Sequence, residues 1–316
     1  MSAITVLGQM VVLFSMIAAG FIVCRKGMLS DETSGQLSKL VVNLFNPLLI
    51  VNSVLAPAQD VTGEKMLTNL ILVCIYFVIL FICGLVAILL LRPVVHQRGL
   101  YHMMMLFSNV GFMGIPVVQS IYGKTAVVYV AVYVLGYNAL LYSLGSILAE
   151  RSAARFLGQE LKERISVWQS IRKMLNPGVI AAVAAIVILL LRIQVPAFVG
   201  TFFDYMGNVT IPLSMMLIGA SVARMSLKDM LGDVRMYVFL LLKMILFPIL
   251  VLLIFRNLPI DPVLFGIFVL EMGMPVGNVT ALIAQEKGAD PEFCGKGIVL
   301  STLVSILTIP ILCLFL

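Results

Sequence analysis

Residues 108–118 read SNVGFMGIPVV and lie inside a long apolar stretch of the chain. Two glycines and a proline, Gly111, Gly114 and Pro116, stand where an uninterrupted membrane helix would carry apolar side chains. Proline has no amide proton, and its ring clashes with the preceding turn of a helix. The stretch therefore predicts a helix that is broken in its middle, with two polar residues at the start of the break.

A similar stretch occurs once more, in the second half of the chain. The pentapeptide MGIPV at 113–117 matches MGMPV at 272–276, and NLFNPL at 43–48 resembles NVTIPL at 208–213. The two pairs occur in the same order and at equivalent places, which indicates an internal repeat. We therefore expect a second broken helix, at Pro275.

The composition is that of a membrane protein. The chain has 316 residues, of which 61% are hydrophobic and 11% charged, and its mean hydropathy is +1.12. A soluble domain carries roughly a quarter charged residues. The first apolar run follows the N-terminus almost directly and has no basic segment or cleavage site, so we read it as a retained helix.

Ten apolar runs are long enough to cross a bilayer, which takes about 20 residues. If the N-terminus is outside, the inside loops hold fifteen Lys and Arg residues and the outside loops four. This asymmetry predicts a multi-pass cell-membrane protein with both termini outside. It also explains the excess of Lys and Arg over Asp and Glu, so no nucleic-acid partner is predicted. The predicted helices 1 to 10 are 4–24, 35–55, 67–91, 101–121, 125–149, 177–193, 197–222, 236–255, 262–285 and 295–315.

The longest predicted loop, 150–175, is cytoplasmic and separates a first repeat, 1–149, from a second, 176–316. Five helices in each half give the two repeats opposite orientations, as in many secondary transporters. The loop has the pattern of an amphipathic helix on the inner membrane surface, which either has a regulatory role or simply tethers the two halves. The amphipathic pattern rests on apolar residues three or four positions apart, namely Leu157, Leu161, Ile165, Trp168, Ile171 and Leu175.

The two breaks predict an anion site near the bilayer midplane. Broken backbone at that depth is tolerated only inside the protein or facing water, and the N-terminus of each half-helix favours an anion. Asparagines at both breaks add amide donors. The candidate substrate-binding residues are Asn43, Asn46, Ser108, Asn109, Gly111, Gly114, Pro116, Gly273, Pro275, Gly277 and Asn278.

Three ionisable residues inside predicted helices are candidates for coupling or gating, because a charge in a membrane is costly. Glu271 lies near the centre of helix 9 and Lys243 near the centre of helix 8, so the two could pair. Asp204 lies in the outer half of helix 7. A proton and a sodium ion both stay open as the coupled ion.

Other function classes have little support. The chain has two histidines, His96 and His102, and no HExxH, GxSxG or paired-Asp motif, so an intramembrane enzyme is not expected. Its five cysteines are scattered, and neither a metal site nor a cofactor is predicted. A membrane sensor that binds its ligand without net flux remains an alternative to a carrier.

The motifs resemble those of the auxin efflux carrier family over the whole chain. The first half has the pattern N-x-x-x-M-G-I-P, from Asn109 to Pro116, followed by Tyr122-Gly123. Further resemblances are Pro47-Leu48-Leu49 and, in the second half, Met274, Pro275, Gly277, Val279, Ala284, Glu286 and Pro291.

The resemblance implies an all-α fold of the NhaA and bile-acid-transporter type, in which broken helices 4 and 9 cross at their prolines. It implies a scaffold domain of helices 1, 2, 6 and 7, a moving transport domain of helices 3–5 and 8–10, and a homodimer. Plant PIN members carry indole-3-acetate, and bacterial members carry small carboxylates such as malate or malonate. The residue at Asn109 would contact the carboxylate, and Asn46 would lie on the scaffold side.

The chain departs from the plant pattern in three respects. Its predicted helix 3, 67–91, lacks the Asp and Lys of plant transporters, Asn46 makes the scaffold side polar, and the long cytoplasmic loop is missing. These departures favour a small carboxylate over auxin. The sequence thus predicts an elevator-type secondary transporter of a small organic anion.

Overall fold

A computed structural model of the chain describes residues 3–55, 61–157, 176–191, 193, 195–224 and 234–316. Regular secondary structure in these ranges is entirely helical, apart from one isolated antiparallel bridge between Ser108 and Val276. A helix satisfies its backbone groups within one segment, which suits a chain this apolar. The all-α prediction is confirmed.

We number the main helical segments α1 to α12. Predicted helix 4 corresponds to α4 and α5, and predicted helix 9 corresponds to α10 and α11. Six segments, α2, α3, α6, α8, α9 and α12, are long and apolar enough to cross a membrane. The ten-span plan and its inverted symmetry stay predictions. The segments are α1 (Ala3–Arg25), α2 (Asp31–Leu55), α3 (Gly63–Leu91), α4 (Arg98–Leu106), α5 (Val110–Tyr122), α6 (Lys124–Phe156), α7 (Pro177–Leu191), α8 (Ala197–Arg224), α9 (Val234–Phe255), α10 (Pro262–Met272), α11 (Val279–Glu286) and α12 (Pro291–Leu314).

The break in predicted helix 4 is not at Pro116, so the expectation of a crossing at both prolines is wrong in the first half. The helix is interrupted at residues 107–109, and Pro116 lies inside α5. A π-type turn, Val110–Gly114, comes just before this proline. Proline offers no amide for a helical bond, and the wider turn accommodates its ring without ending the helix.

The same arrangement recurs at two other prolines. Val41–Phe45 in α2 is a π-type turn that precedes Pro47, and Leu242–Leu246 in α9 precedes Pro248. In each case the proline follows the turn by two residues, as Pro116 does. In the second half the expectation holds, because Pro275 lies within the break between α10 and α11.

Glycines bring α1 and α8 into close contact. A Cβ at Gly20 would overlap the backbone of Met216, and one at Gly219 would overlap the backbone of Ile17. Small residues allow membrane helices to approach in this way. Helix α2 packs in turn against α7 and α8.

The outer surface is apolar where lipid would contact it. On α3, Leu89 is 74% exposed and Leu85 and Val78 are also exposed, whereas Tyr76 and Leu80 on its other face are buried. Helix α6 extends through residues 150–156, the first part of the predicted linker. The rest of that linker, 158–175, and hence the predicted amphipathic helix, lies outside the described residues.

Candidate functional site

The two broken segments cross as a short antiparallel pair. The amide of Asn109 donates to the carbonyl of Pro275 at 2.7 Å, and the amide of Gly277 donates to the carbonyl of Phe107 at 2.8 Å. Ser108 and Val276 face each other between these bonds. Backbone groups released from both helices thus satisfy one another, which a low-dielectric interior requires.

Gly277 is needed for this approach. A Cβ there would lie 2.9 Å from the hydroxyl oxygen of Tyr137 and 3.1 Å from the carbonyl oxygens of Phe107 and Ser108. These distances are shorter than ordinary contacts with carbon. Any side chain at this position would push the crossing apart.

A cavity of about 190 Å³ opens beside the crossing, between α2 and α7 on one side and α5, α6 and the start of α11 on the other. The break itself contributes to the wall. Seven of the eleven substrate-binding candidates line it: Asn43, Asn46, Ser108, Asn109, Gly111, Gly277 and Asn278. The other four, Gly114, Pro116, Gly273 and Pro275, do not line it.

Asn109 forms the N-cap of α5. Its Oδ1 accepts the amide of Phe112 at 3.2 Å, and the carbonyl of Ser108 accepts the amide of Val110. The amide of Gly111, between Val110 and Phe112, is bonded to neither of these acceptors. Gly111 also lines the cavity. The Nδ2 group of Asn109 and the amide of Gly111 are therefore donors available to an anion.

Two asparagines of α2 line the opposite wall. Asn43 donates its Nδ2 to the carbonyl of Lys39 at 2.9 Å, so its own helix uses that donor. Asn46 is buried, and its Oδ1 has no hydrogen-bond partner among the described residues. Its Nδ2 points toward Gly111, 3.8 Å from where a Cβ would be. Asn46 is thus the polar group of α2 that is available to a ligand.

Sequence reasoning missed a polar pair in the cavity wall. Asn176 donates its Nδ2 to Oδ1 of Asn138 at 2.6 Å, and its own Oδ1 caps α7 at Val179. Tyr137 and Tyr142 line the same region. The available signals were the Asn-Pro-Gly start of α7 and the polar residues within α6.

Glu271 lies at the end of α10 and is fully buried, but it does not line the cavity. Neither carboxyl oxygen has a hydrogen-bond partner in the described part of the chain. Gly114 makes room for the group, since a Cβ there would lie 2.5 Å from Oε1. The backbone carbonyl of Glu271 accepts the hydroxyl of Tyr76 at 3.4 Å.

Lys243 does not pair with Glu271. It is 1% exposed, and its Nζ donates to the carbonyl of Met105 at 3.1 Å and to Oγ of Ser108 at 2.8 Å. The ammonium therefore sits at the C-terminus of α4, the end that favours a positive charge. Through Ser108 it contacts the wall of the cavity.

Asp204 is remote from the crossing. Its carboxylate forms an ion pair with Lys124 at the start of α6 and accepts Nδ2 of Asn52 at 3.2 Å. The side chain is 42% exposed. This contact joins the ends of three helices and gives Asp204 a structural position.

Comparison with known proteins identifies relatives along nearly the entire chain. A family model described as "Membrane transport protein" matches residues 5–313. An uncharacterized transporter of Methanothermobacter thermautotrophicus is 24% identical over 303 residues, 94% of this chain and 93% of that protein. A protein of Rhizobium meliloti named "Putative malonate transporter" is 23% identical over 306 residues, 96% of this chain and 93% of its own length.

Proposed function

The chain belongs to the membrane transport protein family, the auxin efflux carrier family of the sequence prediction, and from this premise we propose that it is a secondary carrier of a small organic anion. The observation that carries the proposal is the cavity at the crossing. Its wall combines Asn109 with the N-terminus of a half-helix, and both stabilise a carboxylate.

The chemistry of the cavity favours a small carboxylate. Among the described residues that line it, none is charged, and the polar groups are asparagines, a serine, two tyrosines and backbone amides. A bound carboxylate would thus meet donors and no competing acidic group. The name of the Rhizobium meliloti relative makes malonate the first substrate to test.

The position of the cavity favours an elevator-type mechanism. One wall comes from α2 and α7, which belong to the predicted scaffold, and the other comes from α5, α6 and α11, which belong to the predicted transport domain. Movement of the second group against the first would carry the ligand across. The packing of α1 on α8 and of α7 on α2 matches an inverted repeat, since exchanging the halves converts one pair into the other.

Two buried ionisable groups are suited to coupling. Lys243 and Glu271 approach the crossing from different helices, and Tyr76 lies between them, with its hydroxyl near Ser108 and bonded to the Glu271 carbonyl. A proton bound at Glu271 would bias the position of the crossing. We infer a location in the cell membrane, with both termini outside and residues 150–175 in the cytoplasm as the Lys and Arg count predicts, and the homodimer that the family resemblance implies.

Uptake of labelled malonate into proteoliposomes tests the function. Asn109→Asp keeps the N-cap acceptor but replaces the amide donor with a negative charge, so uptake should fall more than about tenfold, the loss of one charge-assisted hydrogen bond. Asn257→Asp, in the exposed turn after α9, is the matched control. Equal uptake by the Asn109 variant would remove that residue from the site. Saturable binding without counterflow would instead support a sensor.

A further inference from the structure

A second cavity, of about 140 Å³, lies away from the crossing, among the ends of α3, α4 and α6. Three arginines, Arg98, Arg151 and Arg155, line it together with Ser152 and His102. These residues come from helix ends that share one face of the molecule, the face that the Lys and Arg count predicts to be cytoplasmic.

The positive charge in this cavity has no compensating carboxylate among the described residues. No acidic side chain lines it, and none of the three arginines forms an ion pair among the described residues. Glu150, the neighbouring carboxylate in sequence, pairs with Lys287 instead. Three guanidinium groups around one small cavity repel each other unless an anion lies between them.

A buried donor points to the same kind of ligand. Ser152 lines the cavity and is 2% exposed, and its Oγ has no hydrogen-bond partner in the described ranges. An unpaired buried hydroxyl is costly, so native structures usually satisfy it. Helix α4 also begins at Arg98, and no side chain caps its first amides.

Exposed apolar side chains lie close in sequence to the lining residues. Leu89 follows Ile88 of the cavity wall and is 74% exposed, and Phe156 follows Arg155 and is 58% exposed. Such a patch suits acyl chains whose head group enters the cavity. Arginine binds phosphate through two parallel hydrogen bonds, and basic pockets between membrane helices hold anionic head groups in this way.

We propose that Arg98, Arg151, Arg155 and Ser152 form a binding site for a phosphate group. The phosphate of an anionic phospholipid and free inorganic phosphate are its two sources. The site is separate from the carboxylate cavity, and the proposal does not depend on which substrate is carried.

Thermal unfolding of the purified full-length protein in detergent tests the site, with native mass spectrometry to count bound lipid. The probes are short-chain phosphatidylglycerol, phosphatidylcholine and inorganic phosphate. A ligand that binds only the folded protein raises Tm. We expect phosphatidylglycerol to raise Tm and phosphatidylcholine to leave it unchanged. A rise with inorganic phosphate of the same size would support the site and identify free phosphate as its ligand.

Matched variants locate the binding. Arg151→Gln/Arg155→Gln should weaken binding by more than about tenfold, whereas Arg25→Gln/Lys26→Gln, which removes the same charge at the same predicted face, should retain it. Ser152→Ala should also weaken binding, and because the buried hydroxyl has no partner in the described ranges, its removal should not lower the Tm of the free protein. Equal stabilisation by phosphatidylcholine, no stabilisation by either anion, or full binding in the arginine double variant would overturn the proposal.

Discussion

The amide of Asn109 donates to the carbonyl of Pro275, 2.7 Å away and on the other broken segment. One residue thus caps a half-helix, bonds to the opposite break and lines the cavity. Any change that moves Pro275 relative to Asn109 therefore also moves the proposed carboxylate donors. This relationship connects the geometry of the crossing to substrate binding.

Gly277→Ala should disturb the crossing. The new Cβ would lie 3.1 Å from the carbonyl oxygens of Phe107 and Ser108, and overpacking of this kind costs about 1–3 kcal/mol. We expect a lower Tm together with slower malonate uptake. Gly295→Ala is the matched control, because nothing lies within 4 Å of its Cβ. If the two variants unfold at the same temperature, the crossing tolerates a methyl group.

Glu271→Gln should separate coupling from binding. The amide has nearly the same shape as the carboxyl beside Gly114, but it cannot gain or lose a proton. We expect uptake driven by a pH gradient to be lost, while malonate exchange without a gradient continues. Glu64→Gln, in the first turn of α3, should behave as wild type. A variant that still responds to the gradient would show that the coupled proton binds elsewhere.

Lys243→Met should weaken substrate binding through Ser108. Methionine fills a similar volume but removes the donors to Met105 and Ser108. We expect KM to rise by roughly tenfold, the value of one charged hydrogen bond, with a smaller change in maximal rate. The exposed Lys39→Met is the control. If Lys243 acts by positioning Ser108, the double variant Lys243→Met/Ser108→Ala should have nearly the same KM as Lys243→Met alone. If the two substitutions raise KM independently, this role is contradicted.

The Lys65–Asp261 ion pair should stabilise the fold in a pH-dependent way. Partial burial acts to raise the pKa of Asp261, but hydrogen bonds from Lys65 and from the amides of Leu264 and Val263 outweigh it and hold the pKa below its usual range. The stabilisation is present above the unfolded pKa, about 3.9, and is lost as the pH falls through the folded value.

Tm measurements on wild type and Asp261→Asn check this prediction. The difference in Tm should be constant from pH 5 to pH 7 and should shrink below about pH 4. Its size should correspond to at most about 1 kcal/mol, the usual range for a partly exposed ion pair, because asparagine keeps the N-cap acceptor of α10. Asp290→Asn is the control. Asp290 caps α12 as Asp261 caps α10, but it forms no ion pair among the described residues. A difference that persists unchanged at pH 3 would exclude the carboxylate as its source.

The sequence by itself determined the class of protein. The apolar content leaves a membrane as the solvent, and matched Gly and Pro motifs predict two interrupted helices, because these residues act on the backbone of their own segment. It also selected Asn46 and Asn109, polar residues in apolar runs, and both line the cavity. These inferences depend on local chemistry, which a sequence records directly.

Tertiary structure decided where the first break lies, which groups meet there and which groups the buried charged side chains contact. The interruption is at residues 107–109 and not at Pro116, because Pro275 and Gly277 offer hydrogen bonds there while a π-type turn accommodates the proline. Lys243 pairs with the end of α4 and not with Glu271. Such choices depend on partners more than a hundred residues away, and their distance and orientation exist only once the helices have packed.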